Sequence, residues 1–505
     1  MLARLKQVAV GDRRSYLMAF LQEKIAEVLG LNSGEQPDPQ KGLFEMGMDS
    51  LMAIELVSFI EAHLQARFSM LEILEANNIE TLVEVLLRQV FPEVAPSEVA
   101  CNVLSLETEA VLEENIVPKE PFVEQEKTKA VFLTGASGFL GAFLLRELLE
   151  RTEATIYCLV RAGNILSGQL KLEENLKNYQ IWQTNYAARI VPVIGDLSQP
   201  YLGLEPEEFD KLAQIIEVIY HNGAVLNFVY PYSILKPTNV LGTKEILKLA
   251  CQFQTKPLHY VSTDAVFDSC AYFDREVKES EPIAYTQGLD LGYTQSKWVA
   301  ETLVTIARDR GLPVTIYRPP LIAGDSHTGI WNTNDFTCRF IKGCIQMGKM
   351  PDMNCELAIV PVNYVSQAII SLSLEKTSSG RAFHLNNPHA PNWSEVVKWI
   401  NNLGYTVQQV PYQTWEVELI TTSSYSNNVL NSLIPFFLKK WSQEQLNFAE
   451  FGQRRVRLSC QETVKELAKS NIACPSVNFD LLGTYFSYFI RDGFLDSHLK
   501  LSIKT

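Results

Sequence analysis

The sequence predicts a small all-α helical bundle followed by an α/β unit, built on a doubly wound parallel sheet with a smaller C-terminal lobe. Three observations predict it. Over residues 1–92 apolar residues recur at helical spacing, with few strand signals. From residue 129 short β-branched runs alternate with helical stretches. Beyond about residue 325 that alternation weakens and Trp, Phe, Tyr and Asn become more frequent. A chain of 505 residues suits this division, at roughly 100–200 residues per compact unit.

In the first unit, Leu17, Phe20, Leu21, Ile25, Val28 and Leu29 form one helical stripe. Leu51, Ile54, Val57, Phe59 and Leu64 form a second, after Asp49-Ser50, and Ile79 to Val90 a third. Three or four such helices make a bundle. Residues 93–126 differ: nine Glu stand against one Lys, with Pro96, Pro118 and Pro121 interspersed. They read as a solvated, largely extended acidic linker, in which Val103, Leu104, Leu106, Val111 and Leu112 offer apolar contacts to a neighbour. Residues 127–505 form the α/β unit, with a Rossmann core at about 127–324 and a substrate-facing lobe at about 325–505. Its strands lie in KAVFLTG, TIYCLVRA, ARIVPVIGDL, VIYHNGA, PLHYVST and PVTIYRP, and strand–helix alternation of this kind implies a parallel sheet.

Composition narrows the function classes. The net charge of −14 and pI near 5.2 argue against nucleic acid, which calls for a basic footprint. The nine cysteines and seven histidines are dispersed, without a CxxC pair or metal-ligand spacing, so free thiols in a reducing compartment are expected and no metal. No apolar run reaches the roughly 18–20 residues of a membrane span, and the N-terminus lacks a cleavable signal pattern. A cytoplasmic protein is expected.

Two loops and one helix carry the chemistry. Ser50 lies where a loop meets a helix, so a phosphodiester there meets free backbone N–H groups and the positive end of the helix dipole; N-capping is the structural alternative. In Thr134-Gly135-Ala136-Ser137-Gly138-Phe139-Leu140-Gly141 a glycine turn joins strand to helix, the setting that admits a pyrophosphate. Gly135, Ser137, Gly138, Phe139, Leu140 and Gly141 are the candidate cofactor contacts. At the next strand end no acidic residue is present, and Arg161 suits a 2′-phosphate, favouring NADPH. Asp196 and Leu197 end a further strand at the adenine side. Asn222, Gly223 and Ala224 end the next one and line the nicotinamide side. Tyr293 and Lys297, four residues apart on a helix, share a face. The ammonium is expected to lower the tyrosine pKa, making Tyr293 a proton donor to a carbonyl, and Lys297 also to bind the cofactor ribose. Tyr232 and Lys236 repeat this spacing but precede the strand ending in Ser262-Thr263, so they are expected to be structural.

The string GLFEMGMDSLMAIEL resembles the phosphopantetheine attachment motif of polyketide-synthase carrier proteins. This implies that a phosphopantetheinyl transferase loads Ser50 with 4′-phosphopantetheine, whose thiol holds an acyl chain. Residues 129–415 resemble the thioester reductase domains that terminate polyketide and peptide synthetases, and carboxylic acid reductases. The matching stretches are TGASGFLG, CLVRA, GDLSQPYLGL, IYHNGAVLNFVYPYSILKPTNVLGTKEIL, GYTQSKWVAE and IYRPPLIAGDSHTGIWNTNDF. Resemblance to the extended short-chain dehydrogenases places Thr263 beside Tyr293 as a carbonyl-binding hydroxyl. The family's second Arg, about ten residues after Arg161, is replaced by Lys171, a weaker fork for a phosphate. The family's YRPG and PVDY turns read Tyr317-Arg318-Pro319-Pro320 and Pro361-Val362-Asn363-Tyr364. The short carrier–reductase architecture also resembles the proteins that finish heterocyst glycolipid chains in filamentous cyanobacteria.

The resemblance implies reductive release of a carrier-bound long-chain acyl or polyketide chain, as aldehyde or alcohol, with NADPH. It implies upstream polyketide or fatty-acid synthase subunits as partners. Aromatic residues near Trp331, Phe336 and Phe340, and the segment 433–438, line an acyl channel or simply form core, the commoner fate. The rival readings are a carrier-fused ketoreductase or epimerase of the same extended family, and a non-catalytic scaffold that senses cofactor.

Overall fold

Apolar stripes at helical spacing build the N-terminal bundle. The computed structural model describes residues 1–29, 31, 36–43, 46, 48, 50–64, 76, 78–91, 105–123, 127–423, 428–442 and 444–496. Helix α1 (Arg13–Val28) buries Leu17, Leu21, Ile25 and Val28. Helix α2 (Ser50–Leu64) contributes Leu56, Ile60 and Leu64 to the same core. Helix α3 (Ile79–Val90) is capped by Asn78, whose side chain accepts from the Thr81 backbone N–H at 2.9 Å, and it buries Ile79, Leu82, Val83 and Leu86. Such a cap satisfies one of the donors that every helix start leaves open. Ser50 is the first residue of α2, as expected of a loop–helix junction. Phe44, Glu45, Gly47 and Asp49 of the surrounding motif lie outside the described residues.

The α/β unit is built around seven parallel strands: β1 (Ala130–Thr134), β2 (Thr155–Val160), β3 (Ile190–Ile194), β4 (Val218–His221), β5 (Leu258–Val261), β6 (Val314–Arg318) and β7 (Ala382–His384). They run in the order β7-β6-β5-β4-β1-β2-β3. β1 and β5 are buried at every residue, the mark of strands covered on both faces. Strand order reverses at β1, which pairs with β2 on one side and β4 on the other. A crevice opens beyond the carboxyl ends of the strands at such a switch point. All six strands expected from the sequence are present.

The chain does not leave the sheet for good at residue 325. Helix Val362–Ser373 packs on helix Phe139–Arg151, burying Val365, Ala368, Ile369 and Leu372, and β7 then adds to the sheet beside β6. The lobe is made of the remaining segments, whose aromatic core includes Trp331, Trp393, Trp415, Phe437 and Phe489.

Residues 105–123 also differ from a solvated linker. Leu106, Ala110, Leu112 and Ile116 are buried against the α/β core. Glu109 pairs with Lys236 at 2.6 Å and Glu113 with Lys244 at 3.2 Å. The acidic composition hides an apolar stripe, and the acids that flank it meet basic partners. Val111 stays exposed, while Val103 and Leu104 lie outside the described residues.

Candidate active site

The glycine turn after β1 is shaped for close approach. Gly135 has φ of 74°, and a Cβ there would stand 2.8 Å from both the Asn222 Nδ2 and the Gly223 Cα. A Cβ on Gly141 would stand 1.9 Å from the Gly135 carbonyl oxygen. Only glycine fits either position. Gly138 is the N-cap of helix Phe139–Arg151 and carries no side chain to cover the helix start. Asn175 ties the turn down by donating to the carbonyls of Ala136 (3.1 Å) and Gly138 (3.2 Å). Ser137 lies in this turn. Free N–H groups at a helix N-terminus, beneath a backbone without Cβ atoms, fit a pyrophosphate.

The neighbouring strand ends complete this face. Arg161 and Lys171 are both exposed, and the Lys171 Nζ donates to the Arg161 carbonyl at 3.0 Å. Two cations thus stand together past β2, where a 2′-phosphate would be met. Past β3, the Asp196 Oδ1 accepts from the Ser198 N–H (2.8 Å) and hydroxyl (2.9 Å), which fixes its turn. Leu197 wedges against Gly223 and Gly242. Past β4, the Asn222 and Gly223 N–H groups donate to the Thr134 hydroxyl at 3.1 and 2.8 Å. That hydroxyl donates to the His221 Nδ1 (2.8 Å), and the His221 Nε2–H to the Thr243 hydroxyl (3.0 Å), which spends its own proton on the Asn239 carbonyl (2.7 Å). Burial pushes His221 down to about 3, so it is neutral, as this chain of bonds requires.

Tyr293 and Lys297 project from helix Gly292–Asp309 into the same crevice, opposite Thr263 at the end of β5. The Lys297 ammonium donates to the Val261 carbonyl at 2.8 Å and lies over the Tyr260 ring. Burial holds it down to about 7, against the pull of Glu301. Tyr293 departs from expectation: its phenol is pushed up, not down, by burial and then by Asp264, with Thr263 opposing. Spacing put the ammonium on the tyrosine's face, but desolvation dominates and Lys297 is spent on a carbonyl. An elevated phenol pKa keeps the proton on Tyr293, which suits a donor. Ser262 is packed away, donating to Glu301 at 2.5 Å. Tyr232 and Lys236 bind Glu109 at 3.0 and 2.6 Å, outside the crevice, so their YxxxK is structural.

A cavity of about 400 Å³ joins the start of helix Phe139–Arg151 and the end of β4 to Thr263, Tyr293 and Lys297. Phe139, Leu140, Asn222 and Ala224 line one end, and Thr263, Tyr293 and Lys297 line its wall. Beyond them the lining is aromatic: Phe228, Phe336, Phe340, Phe436, Trp441 and Phe448. The Phe228 ring stands edge-on to Tyr293 at 6.0 Å and to Phe336 at 5.3 Å. Of the candidate channel residues, Phe336, Phe340 and Phe436 face the cavity, whereas Trp331 and Phe437 belong to the lobe core. Phe228 and the charged residues Asp264, Asp268 and Arg455, which also line the cavity, were not singled out by sequence. Only the adjacency of Asp264 to Thr263 pointed to any of them.

Residues 133–369 match the family described as "Male sterility protein", an NAD-binding domain family, and residues 19–86 match the family described as "Phosphopantetheine attachment site". The terminal R domain from the myxalamid PKS-NRPS biosynthetic pathway is 43% identical, with a TM-score of 0.73 over 77% of this chain and 98% of that one. The chain belongs to the carrier-fused thioester reductases. A thiolation-reductase di-domain from an archaeal non-ribosomal peptide synthetase shares the fold of both parts, with a TM-score of 0.67 at 23% identity over 95% of this chain and 98% of that one. A linear gramicidin synthase polypeptide of Brevibacillus parabrevis is 37% identical over 467 residues, which is 89% of this chain but 9% of the synthase polypeptide. This reductase spans less than half the length of each of the curated relatives it matches first.

Proposed function

We propose that the chain holds an acyl group as a thioester on a 4′-phosphopantetheine arm at Ser50 and releases it by reduction, as aldehyde or alcohol. Residues 1–92 are read as the carrier and the α/β unit with its lobe as the reductase. The observation that carries this reading is a cavity that runs from Phe139 and Leu140, at the helix start that follows the glycine turn, past Asn222 and Ala224 to Thr263, Tyr293 and Lys297 and continues into an aromatic, apolar wall. The glycine turn fits a dinucleotide, and Arg161 with Lys171 supports NADPH. The carrier helix α2, which begins at Ser50, lies against the turn Asn431–Leu433, and the next helix, Ile434–Leu438, carries Phe436 into the cavity.

NADPH, when bound, would supply the hydride for the thioester carbonyl carbon. Gly135, Gly138 and Gly141, with Ser137, Phe139 and Leu140, would hold its pyrophosphate. Arg161 and Lys171 would hold the ribose phosphate, Asp196 and Leu197 the adenine side, and Asn222, Ala224 and Lys297 the nicotinamide side. The Thr263 and Tyr293 hydroxyls donate to the carbonyl oxygen as charge develops on it, an arrangement that lowers the barrier because the donors are fixed beforehand. Tyr293 then gives its proton to that oxygen. The carbon–sulfur bond breaks as that proton is passed on; the pantetheine sulfur leaves as the free thiol and the acyl group as aldehyde. The alcohol outcome would take a second NADPH and a second proton. Phe228 and Phe336 exclude water beside Tyr293. The tether raises the local concentration of the thioester without strong contacts.

The aromatic wall supports a long, uncharged acyl chain as substrate, delivered by upstream polyketide or fatty-acid synthase subunits. The resemblance to heterocyst glycolipid proteins supports lipid biosynthesis as the setting, in the cytoplasm. The test is to load acyl-pantetheine onto the full chain with a transferase, add NADPH, and follow the protein and products by mass spectrometry. Loss of the acyl group with release of aldehyde or alcohol is expected. Loading at Ser50 with no cofactor-dependent release, across short and long chains, would sink the reading.

A further inference from the structure

Beside the catalytic strand end stand three charged groups that the reduction itself does not call for. Asp264 follows Thr263 directly, and Asp268 closes the same short turn, Asp264–Phe267. Both meet Arg455, which comes from the C-terminal lobe: its Nη2 is 3.1 Å from the Asp264 Oδ2, and its Nε is 2.6 Å from the Asp268 Oδ1. All three line the cavity that holds Tyr293. Two neighbouring carboxylates in a largely buried site stay ionised only against a counter-charge, and a planar guanidinium can serve both at once.

The segment that carries Arg455 is anchored on either side. Arg454 pairs with Asp274 at 3.0 Å, and Arg457–Leu458 runs as a strand beside Glu276–Val277. Arg455 is therefore held in place from its own side of the crevice. On the other side, the Thr263 hydroxyl donates to the Asp264 Oδ1 and accepts from the Ala265 N–H, both at 3.3 Å. These long bonds leave the Thr263 proton free to turn to a better acceptor when one arrives.

We propose that Arg455 is a positioning residue: by pairing with Asp264 and Asp268 it fixes the turn after Thr263 and neutralises the charge beside the Thr263–Tyr293 pair, so that both hydroxyls donate to the substrate carbonyl. The inference rests on the reading of Thr263 and Tyr293 as the donors to that carbonyl. Without Arg455 an unpaired Asp264 carboxylate competes for the Thr263 proton and repels the developing oxyanion. The loss falls on the transition state and so on turnover, leaving cofactor binding alone.

The test uses the full chain carrying an acyl-pantetheine and measures single-turnover NADPH oxidation, NADPH affinity by fluorescence titration, and thermal stability. Arg455→Met is expected to slow turnover about 30-fold or more, the scale of losing an oriented donor, with NADPH affinity within about twofold of wild type. R455M/D264N is expected to recover at least about tenfold of that loss, because the amide keeps an acceptor oxygen for Thr263 and removes the charge. No recovery, or slowing that only tracks a lost folded fraction, overturns the proposal. Should R455M not fold, the triple variant R455M/D264N/D268N leaves no carboxylate unpaired. Turnover within about tenfold of wild type supports neutralisation, and turnover as low as in Tyr293→Phe overturns it. Tyr293→Phe at wild-type turnover removes the site reading and this inference together. A dead Tyr293→Phe beside an unimpaired R455M removes this inference alone.

Discussion

Glu301 and Arg318 meet at 2.6 Å with their side chains 0% and 4% exposed, directly behind the strand end that carries Ser262 and Thr263. The Arg318 Nε adds a second bond to the same carboxylate oxygen at 3.0 Å, and the Ser262 hydroxyl takes the other oxygen. The Arg318 Nη1 lies 3.1 Å from the His384 Nε2. Arginine only donates, so that nitrogen is the acceptor and the His384 Nδ1–H donates to the Ser459 carbonyl at 2.8 Å. Helix Gly292–Asp309, strands β5, β6 and β7 and the lobe are thereby tied through one buried network. A buried ion pair is weak support for stability as such, but removing one partner leaves a bare charge in the core. Glu301→Ala is expected to cost about 3–5 kcal/mol in urea unfolding. E301A/R318M is expected to cost clearly less than the sum of its two single substitutions; simple additivity would show that the pair is not coupled.

Tyr293→Phe keeps the ring against Phe228 and removes only the proton. With burial and Asp264 holding the phenol protonated, that proton is available across the neutral range. The rate is expected to fall about 10²–10⁴-fold, the usual contribution of a positioned acid, while NADPH binding and thermal stability hold. An unchanged rate of product formation would remove Tyr293 from the chemistry.

Acid should loosen the fold through its buried histidines. His221, His259 and His384 are each pushed down to about 3 by burial, whereas histidine in an unfolded chain titrates near ~6.5. Between those values the unfolded chain binds protons that the folded one refuses. The histidines' contribution is therefore full above about 6.5 and falls as pH drops, by about 1.4 kcal/mol per pH unit for each histidine. Asp268 and Asp335 work the other way. Burial raises each to about 6, so below that pH the folded state takes up two protons before the unfolded state does, fewer than the three that the histidines refuse. The net expectation is a melting temperature that declines from pH 6.5 to pH 5, with a shallower decline in His259→Gln. A flat profile would mean that these imidazoles are not held neutral.

The sheet was readable because each of its first six strands is a β-branched run bounded by turns. β7 was not, since three residues, Ala382–His384, are too few to show a period. The glycine cradle and the pair Tyr293 and Lys297 were readable because spacing along one local element brings them together. Spacing alone could not rank Tyr293–Lys297 above Tyr232–Lys236; chain order relative to Ser262-Thr263 did, and the structure adds the tertiary reason, since Glu109 reaches across to claim the second pair. The same limit explains the direction of the Tyr293 shift. Sequence showed which group shares its face but not how much water burial removes. Phe228 and Arg455 reach the cavity from segments far apart in the chain, and neither stands in a local pattern that marks it.

The strap formed by residues 105–123 yields the last expectation. Arg310, just past the end of the helix that bears Tyr293 and Lys297, donates to three strap carbonyls: Leu112 (3.0 Å), Glu113 (2.7 Å) and Ile116 (3.0 Å). These carbonyls belong to an irregular segment; that of Glu113 also accepts from the Ile116 N–H at 3.1 Å, and a fixed fork of donors serves all three. Leu106, Ala110, Leu112 and Ile116 are buried beneath it, and the Arg310 bonds act together with that apolar contact to hold the strap down. Arg310→Met is expected to destabilise the strap by about 1–3 kcal/mol, the scale of hydrogen bonds to a charged group. It should open residues 105–123 to limited proteolysis well below the global melting point. With the strap released, the tether between carrier and reductase lengthens, and a longer flexible tether lowers effective concentration. Single-turnover reduction of the chain's own acyl-pantetheine should then slow, while reduction of a free acyl-pantetheine added in solution should not. Equal slowing on both substrates would place the effect of Arg310 in the catalytic helix itself, and protease resistance equal to wild type would show that the strap does not depend on this side chain.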